Sequence, residues 1–435
     1  LLLARGGTKG AMDTAVLQQL GRDPRALAAV SGLMGVFALV PGMPFVPFMA
    51  GAVGLGYLAM RIRHAPKDDT TADPDTDEPP APRSMGDTLD LDDMHVEFAA
   101  DLVGMVLDPA TGLEARITNM RTHIAEKFGF IMPEIRLTDN AALEAGTYIV
   151  RIHGVEAGHG VLRPDMMLAL LPDSQDDLPS GTDVEEPVYG APARWIRNRD
   201  QEKAALRGAT TIAPTEVLAT HLLEITKRNF QRLLTLKALR RILDEMTLLS
   251  NEDRANANRR LLDELIPDRV PVDCLHAVLR LLLSERVSIR NMPIILEAIA
   301  ESRSGTTQPE TLCELVRQRL GAQLVAELKR ADGTVPLIQL ASDWEEQFVA
   351  YQVDGDRGGY DIALPPDQFE KLTNGLATQI TETAERGINA AVITSARRRR
   401  FITTLLSVKG LTNPVLSFEE LGYEARPTLV GVVAA

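Results

Sequence analysis

The run Ala26-Leu-Ala-Ala-Val-Ser-Gly-Leu-Met-Gly-Val-Phe-Ala-Leu-Val-Pro-Gly-Met-Pro-Phe-Val-Pro-Phe-Met-Ala-Gly-Ala-Val-Gly-Leu-Gly-Tyr-Leu-Ala-Met60 contains no charged side chain. One helix of about thirty-five residues would measure ~50 Å at ~1.5 Å per residue, against a hydrocarbon core of ~30 Å, so the run is expected to fold back on itself. Pro41 and Pro44 cannot continue a helix and Gly42 tolerates turn geometry. The break leaves two halves, about 26–42 and 44–61, each just long enough to span. An α-helical transmembrane hairpin is the expectation. Arg22 and Arg25 precede it, Arg61, Arg63 and Lys67 follow it, and the turn carries no positive charge, so the positive-inside rule places both ends in the cytoplasm. The alternative is a buried core hairpin of a soluble protein, which should show polar residues at helical period; only Ser31 is offered. A secretory signal is excluded by the doubled length, the internal turn and the lack of a cleavage pattern.

Upstream, the chain opens Leu1-Leu-Leu-Ala-Arg5 without methionine, which is the expectation for the downstream piece of a longer membrane protein, with Leu1 to Leu3 ending an earlier transmembrane helix. Residues 1–64 are then the end of a membrane domain. Downstream, residues 65–90 carry Pro66, Pro74, Pro79, Pro80 and Pro82 among Asp68, Asp69, Asp73, Asp75, Asp77 and Glu78. With almost nothing apolar to bury, this segment reads as a flexible acidic linker whose end, near Met85 to Asp90, docks.

The formal net charge of −14 argues against nucleic acid as a partner, because phosphate contacts need clustered Lys and Arg. Two cysteines, Cys274 and Cys313, make neither a disulfide framework nor a zinc site and suit a reducing cytosol. The roughly 370 residues after the hairpin call for several subdomains. From Leu91 to about Pro172 the pattern is mixed α/β. Leu113, Ile117, Met120, Ile124 and Phe128 mark a helix and Glu134 to Leu137 a strand; Tyr148–Ile152 and Gly160–Leu162 flank a turn at Gly154–Gly158, and Met166–Leu171 adds a further strand. A helix opens at Thr215 and runs towards Met246; amphipathic helices follow at Leu275–Leu283, Met292–Ala300 and Leu312–Leu328. Ala390–Thr394, Arg397–Leu406 and Pro414–Phe418 read as a βαβ crossover.

A search for chemistry finds little. There is no Walker-type loop and no Gly-x-Gly-x-x-Gly after a strand. His153 and His159 could meet across their hairpin, without a ligand set for a metal. Asp354-Gly-Asp356 begins like a calcium loop, but Pro365 stands where the bidentate Glu belongs. Glu185 and Glu186 are paired carboxylates with no evident base. No catalytic residue, cofactor or metal is expected, and the chain does not read as an enzyme. Arg397, Arg398, Arg399 and Arg400 form the densest basic run, at the start of a helix where the macrodipole opposes them, so something negative should face them. A neighbouring subunit's acidic surface, solvent and lipid headgroups are the three options.

Several longer stretches spell a family. Val40-Pro-Gly-Met-Pro44, Phe128-Gly-Phe-Ile-Met-Pro133, Ile135-Arg-Leu-Thr-Asp-Asn140, Glu186-Pro-Val-Tyr-Gly190, Pro192-Ala-Arg-Trp-Ile196, Leu275-His-Ala-Val-Leu279 and Glu285-Arg-Val-Ser-Ile-Arg290 resemble, in order, the FHIPEP family of type III secretion export-gate membrane proteins. The Glu-Pro-Val-Tyr-Gly and Pro-Ala-Arg-Trp-Ile segments are closer to its flagellar branch than to its virulence injectisome branch. The resemblance implies a multi-pass protein of the bacterial inner membrane whose C-terminal region lies in the cytoplasm as a nonameric ring. That ring would receive export substrates with their chaperones, beside other export-gate membrane proteins and an export ATPase complex, and export would draw on the proton-motive force. The region would be α/β plus all-α, in four parts: 91–210 with about 267–286; an insertion at 211–266; a helical part at 287–330; and an α/β part at 331–435.

Two sites follow from the resemblance. Where the family docks an aromatic and an acidic linker residue on the adjacent subunit, this chain has Met85 and Asp87. Where the family has a hydrophobic dimple for chaperone–substrate complexes, a Phe aligns with Leu234 and a Thr falls at Asp273 or Cys274. The residues themselves give a parallel argument: Phe230, Leu233 and Leu234 cluster among polar Lys227, Arg228, Gln231 and Arg232, which suits a groove for a partner helix. Core burial is the alternative; the groove requires Leu234 or its neighbours to be partly exposed. Two rival functions stay open, a membrane-tethered enzyme and a passive ring without cargo selection.

Overall fold

The structure is a computed structural model that describes residues 31, 49–54, 91–108, 112–171, 178–303, 305, 307–354, 360–422 and 425–435. The chain separates into two compact units, Leu1–Ser84 and Met85–Ala435. In the first, residues 31 and 49–54 are helical, and Ser31 Oγ donates to the Ala52 carbonyl at 2.7 Å across 21 positions, so the two halves of the apolar run meet there. No helix among the described residues is long and apolar enough to cross a membrane. Most of the expected hairpin, and the linker with Met85 and Asp87, lie outside the described residues.

The second unit begins with β1 (Met94–Phe98), the short α1 (Val103–Val106) and α2 (Leu113–Phe128). Next come β2 (Ile135–Asp139), β3 (Thr147–Ile152) and β4 (Val155–Val161), which form with β1 a sheet in the order β2-β1-β3-β4. Alternation decides which face of this sheet is covered: Met94, Val96 and Phe98 of β1 and Tyr148, Val150 and Ile152 of β3 are all buried. The β3–β4 connection is tighter than the pattern suggests. Ile152 pairs with Val155, leaving only His153 and Gly154 in the turn, both with positive φ (49° and 74°). That is the geometry whose twist matches the flanking strands, so Val155 to Gly158, expected as a loop, are strand.

A second, antiparallel sheet in the order β6-β7-β5-β8 combines β5 (Met166–Leu170), β6 (Thr182–Glu185), β7 (Pro192–Arg197) and β8 (Thr211–Ile212), with α3 (Gln201–Leu206) beside it. Helices then dominate: α4 (Pro214–Arg228), α5 (Phe230–Leu233), α6 (Leu236–Thr247), α7 (Glu252–Leu265), α8 (Val272–Ser284), α9 (Met292–Ser302), α10 (Pro309–Arg319) and α11 (Gly321–Leu328). The expected single helix from Thr215 towards Met246 is three. Asn229 Nδ2 caps the Ile225 carbonyl at 2.8 Å, and Thr235 Oγ1 accepts from the Ala238 amide at 3.1 Å, so α4 stops and α6 restarts. One continuous apolar core runs from Met94 to Leu320 through both sheets and these helices.

The remainder holds β9 (Thr334–Leu340), α12 (Ser342–Ala350), the two-stranded ribbon β10 (Gln352–Asp354) and β11 (Tyr360–Ile362), α13 (Pro366–Glu385), β12 (Ala391–Thr394), α14 (Ala396–Val408), β13 (Val415–Ser417) and β14 (Arg426–Val433). Four of these strands make a parallel sheet in the order β13-β12-β9-β14. All four residues of β12 are buried, as expected of a central strand covered on both faces. Its cores are separate clusters, one including Trp344, Leu372 and Leu405 and the other Val325, Leu337 and Leu416.

Candidate functional site

The helix α5 is a single turn held on every side. Phe230, Leu233 and Leu234 are each at most 1% exposed. The Phe230 ring lies 5.1 Å from Phe128 and 5.2 Å from Phe130, the two aromatics that bracket Gly129 at the end of α2. Its carbonyls are tied down as well: His276 Nε2 donates to the Leu234 carbonyl at 2.6 Å, Arg280 Nε to that of Gln231 at 2.9 Å, and His153 Nε2 to that of Arg232 at 3.2 Å. The partial exposure expected of Leu234 is therefore corrected; this cluster is core, because a one-turn helix must turn its apolar side inward to be stable at all. The structure does bring α5 against α8, where Asp273 is exposed and Cys274 half-buried, with the Cys274 thiol pushed up by burial.

What reaches solvent at this turn is different. Leu236, the first residue of α6, is 47% exposed, beside exposed Gln231, Arg232 and Lys237. The signal for it was available: Thr235 is a good N-cap, and an N-cap before Leu236 places that residue in the outward-facing first turn.

A second concentration of polar groups lies between β3, α4 and the Glu186-Pro-Val-Tyr-Gly190 loop. Burial, then the charges of Arg228 and His159, push the His221 pKa down to about 4, so the ring is neutral, and its Nδ1 shares a hydrogen bond of 2.7 Å with Tyr148 Oη. Burial in turn raises the Tyr148 phenol. Glu186 is buried and folds its own loop, its carboxylate accepting from the Val188 amide at 3.0 Å and the Tyr189 amide at 2.8 Å. Glu185 points outward, so the two carboxylates do not act as a pair. His153 and His159 do not meet either: His153 sits in the turn 3.7 Å from Asp93, while His159 contacts Glu156 at 2.9 Å. The loop after Asp354, compared above with a calcium loop, lies outside the described residues.

The arginine run divides by helical phase. Arg397 and Arg400 are exposed; Arg398 and Arg399 are 4% and 0% exposed. Arg398 pairs with Glu345 at 3.2 Å and lies over the Phe348 ring. Arg399 grips Glu285 through two hydrogen bonds of 2.5 and 3.0 Å, and Glu314 through its Nε at 2.6 Å and through Nη2. Beside it, Arg317 contacts Glu285 at 3.0 Å and Glu420 at 2.7 Å, and donates to the Val415 carbonyl at 3.2 Å. Burial would raise the Glu285 carboxyl, but the hydrogen bonds and charge of Arg399, with Arg317 and Arg400, hold it below the ordinary carboxylate range. For Arg398 and Arg399, the negative groups expected on a neighbouring subunit are thus supplied by this chain itself; Arg397 and Arg400 alone face outward.

Comparisons with known proteins agree on one group. The FHIPEP family model matches residues 1–426. The flagellar biosynthesis protein FlhA of Caulobacter vibrioides is 33% identical over 440 residues, covering 100% of this chain and 61% of that protein, so the chain spans less than two-thirds of the relative's length. Among solved structures, the complex of Chlamydia pneumoniae CdsV with CdsO is similar with a TM-score of 0.66 at 21% identity, covering 82% of this chain and 100% of that one. The nonameric EPEC SctV-C is similar with a TM-score of 0.62 at 18% identity, covering 79% and 98% respectively. These last two likenesses establish the fold.

Proposed function

The chain belongs to the FHIPEP family, and on that premise we propose that it forms the export gate of a flagellar type III protein secretion apparatus. Nine copies assemble their C-terminal regions as a ring on the cytoplasmic side of the bacterial inner membrane. The ring docks chaperone–substrate complexes and hands the substrates to a channel driven by the proton-motive force. It acts by docking and gating rather than as an enzyme. The observation that carries this reading is the family match over residues 1–426, which takes in the apolar run, the linker and the folded region together. The likeness to a nonameric assembly supports the ring, and the printed name of the Caulobacter relative supports the flagellar branch over the injectisome branch. The hydrogen bond from Ser31 Oγ to the Ala52 carbonyl, which joins two positions of the uncharged run, supports the membrane anchor.

For docking, α5 serves as the rigid floor and the residues around it as the surface: exposed Leu236 at the start of α6, with exposed Asp273 and half-buried Cys274 on α8. An exposed leucine beside a fixed helix turn suits the apolar side of a partner helix. Calorimetric titration of residues 85–435 with flagellar chaperones carrying late export substrates tests the reading. Saturable binding, weakened by Leu236→Asp in a folded protein, is the expected result. Absence of binding by a folded fragment that still forms rings would leave a passive ring.

A further inference from the structure

We propose that the docking surface continues from Leu236 along the outer flank of α6, and that its occupant is an amphipathic helix carrying carboxylates beside its apolar stripe. The proposal rests on the docking role given to Leu236 and adds the path of the partner and its chemistry.

Helical phase sets the path. Leu239 and Ile242, at 0% and 6% exposure, mark the side of α6 that faces the core. Leu236, Arg240, Leu243 and Thr247 follow one another at spacings of four, three and four residues, so they share one flank of the helix. Leu236 and Arg240 are exposed there, Leu243 and Thr247 half-buried. Just past the helix, Leu248 is 70% exposed and Leu249 38%. Leucines thus open and close a line about 18 Å long, the twelve residues of α6 at ~1.5 Å each.

Both ends of the line are fixed in place. At the far end, Asn258 Nδ2 donates to the Met246 carbonyl and Thr247 Oγ1 to that of Asp244, each at 2.8 Å, while Asn251 Oδ1 accepts from the Arg254 amide at 3.0 Å. At the near end, α5 is held by His276 and Arg280. Apolar residues presented on an immobile support lose little freedom on binding, and spacings of four and three residues match the anchors of a helix. An extended strand has no sheet edge to join here, since α6 and α7 are both helices.

Charge narrows the partner further. The chain carries a formal −14, yet the near half of this line is flanked by cations: exposed Lys237, Arg240 and Arg241 on α6, with exposed Arg232 and half-buried Arg280 beside α5. Arg232 and Arg280 donate to the carbonyls of Ile152 at 3.1 Å and Gln231 at 2.9 Å, which positions them without cancelling their charge. Among the described residues none of the five is ion-paired, although Asp244, Glu245 and Asp273 lie on the same helices. Such a cluster attracts carboxylates and repels a basic partner, which acts on the rate of encounter and on the choice between partners. A polyanion without apolar side chains would leave Leu236 and Leu248 uncovered, so a helix bearing both kinds of group is the occupant that uses the whole surface.

The test uses the full chain in detergent micelles and two synthetic helices of about 18 residues, with the same leucines at i, i+4, i+7 and i+11 and flanks of glutamate in one and lysine in the other. Binding is read by fluorescence anisotropy at low and high salt. The glutamate peptide should bind at least about tenfold more tightly at low salt, with the ratio shrinking as salt rises. Arg240→Glu with Arg241→Glu should reverse the preference, and Leu248→Ser should weaken the glutamate peptide by about threefold or more. The urea midpoint should stay with the parent in both variants, since all three positions are exposed. Equal affinity for the two peptides, no binding of either, or a glutamate peptide indifferent to the double change overturns the proposal. So does loss of the ring in sedimentation of the double variant, since the face would then join copies of this chain. Chaperone–substrate complexes separate the proposal from the reading it rests on. Their binding weakened by Leu236→Asp but indifferent to the double change overturns the α6 path and leaves docking in place. A glutamate preference that follows the double change, with no chaperone complex bound, supports the α6 surface and removes the docking role.

Discussion

Phe230 and Phe128 meet edge to face, ring centroids 5.1 Å apart and planes at 61°, joining α5 to the end of α2. Phe230 is 0% exposed, so its removal leaves a cavity with little room to collapse. Phe230→Ala is expected to cost ~3–5 kcal/mol, read from the shift of the urea midpoint. The same burial changes how Leu234→Asp should be understood. A carboxylate forced into a 1% exposed site unfolds α5, so any loss of docking would come with a lowered midpoint. Leu236→Asp should leave that midpoint within about 0.5 kcal/mol of the parent.

The neutral His221 makes stability pH-dependent in a defined window. Its folded pKa is lowered from 6.5 to about 4, mainly by burial, so the unfolded chain binds the extra proton between those values. Its contribution is fully present above pH 6.5 and is lost as the pH falls towards 4. In His221→Gln the slope of unfolding free energy against pH across that window should fall by up to about one proton. An unchanged slope in denaturation curves taken at several pH values would remove His221 as the cause.

Gly160 faces Tyr148 so closely that an added Cβ would lie 2.5 Å from its Oη, the atom bonded to His221. Gly160→Ala should displace the phenol and destabilise by ~1–3 kcal/mol. Ring atoms Cζ and Cε1 would also lie 2.7 and 2.9 Å from that Cβ, so in a Tyr148→Ala background, where the whole obstructing ring is gone, the same change should cost less. The double-mutant cycle therefore has a predicted sign, and additive costs would contradict it.

These sites differ in how far their residue patterns revealed them. Helix α2 and the alternating strands β1 and β3 were readable because each has one covered face, and covered faces write a period into the sequence. The βαβ order of β12, α14 and β13 was readable for the same reason, and the strands are indeed parallel neighbours. Helix α13 was not among the expected elements, although Pro366 in its first turn is an ordinary start signal, because the segment before it carries the opening of a metal-loop pattern. Whether the Phe230–Leu234 cluster faces solvent or core was not legible, because a cluster at helical spacing looks alike either way; only the carbonyls held by His276 and Arg280 decide, and those partners lie more than forty positions away. The partners of Arg398 and Arg399 were hidden for a similar reason. Arg399 and Glu285 are 114 positions apart, a pairing no local pattern carries.

Two glycines of the family motifs separate backbone strain from packing. Gly129 (φ 70°) ends α2 and Gly190 (φ 68°) ends the Glu186 loop, so alanine is strained at both by ~1–2 kcal/mol. Their surroundings differ. A Cβ at Gly129 would lie 2.5 Å from the Arg290 backbone, whereas at Gly190 it would meet nothing within 4 Å. The backbone near Gly129 cannot step aside, because the Ile289 amide is bonded to the Phe128 carbonyl at 2.8 Å and Arg290 Nη1 to the Glu126 carbonyl at 3.1 Å. Gly190→Ala should therefore cost only the conformational part, while Gly129→Ala should cost that part plus ~1–3 kcal/mol of overpacking. Urea denaturation of the two variants compares them directly. Equal costs would mean that the Ile289–Arg290 segment yields, and that the end of α2 is not the fixed wall against which Phe230 packs.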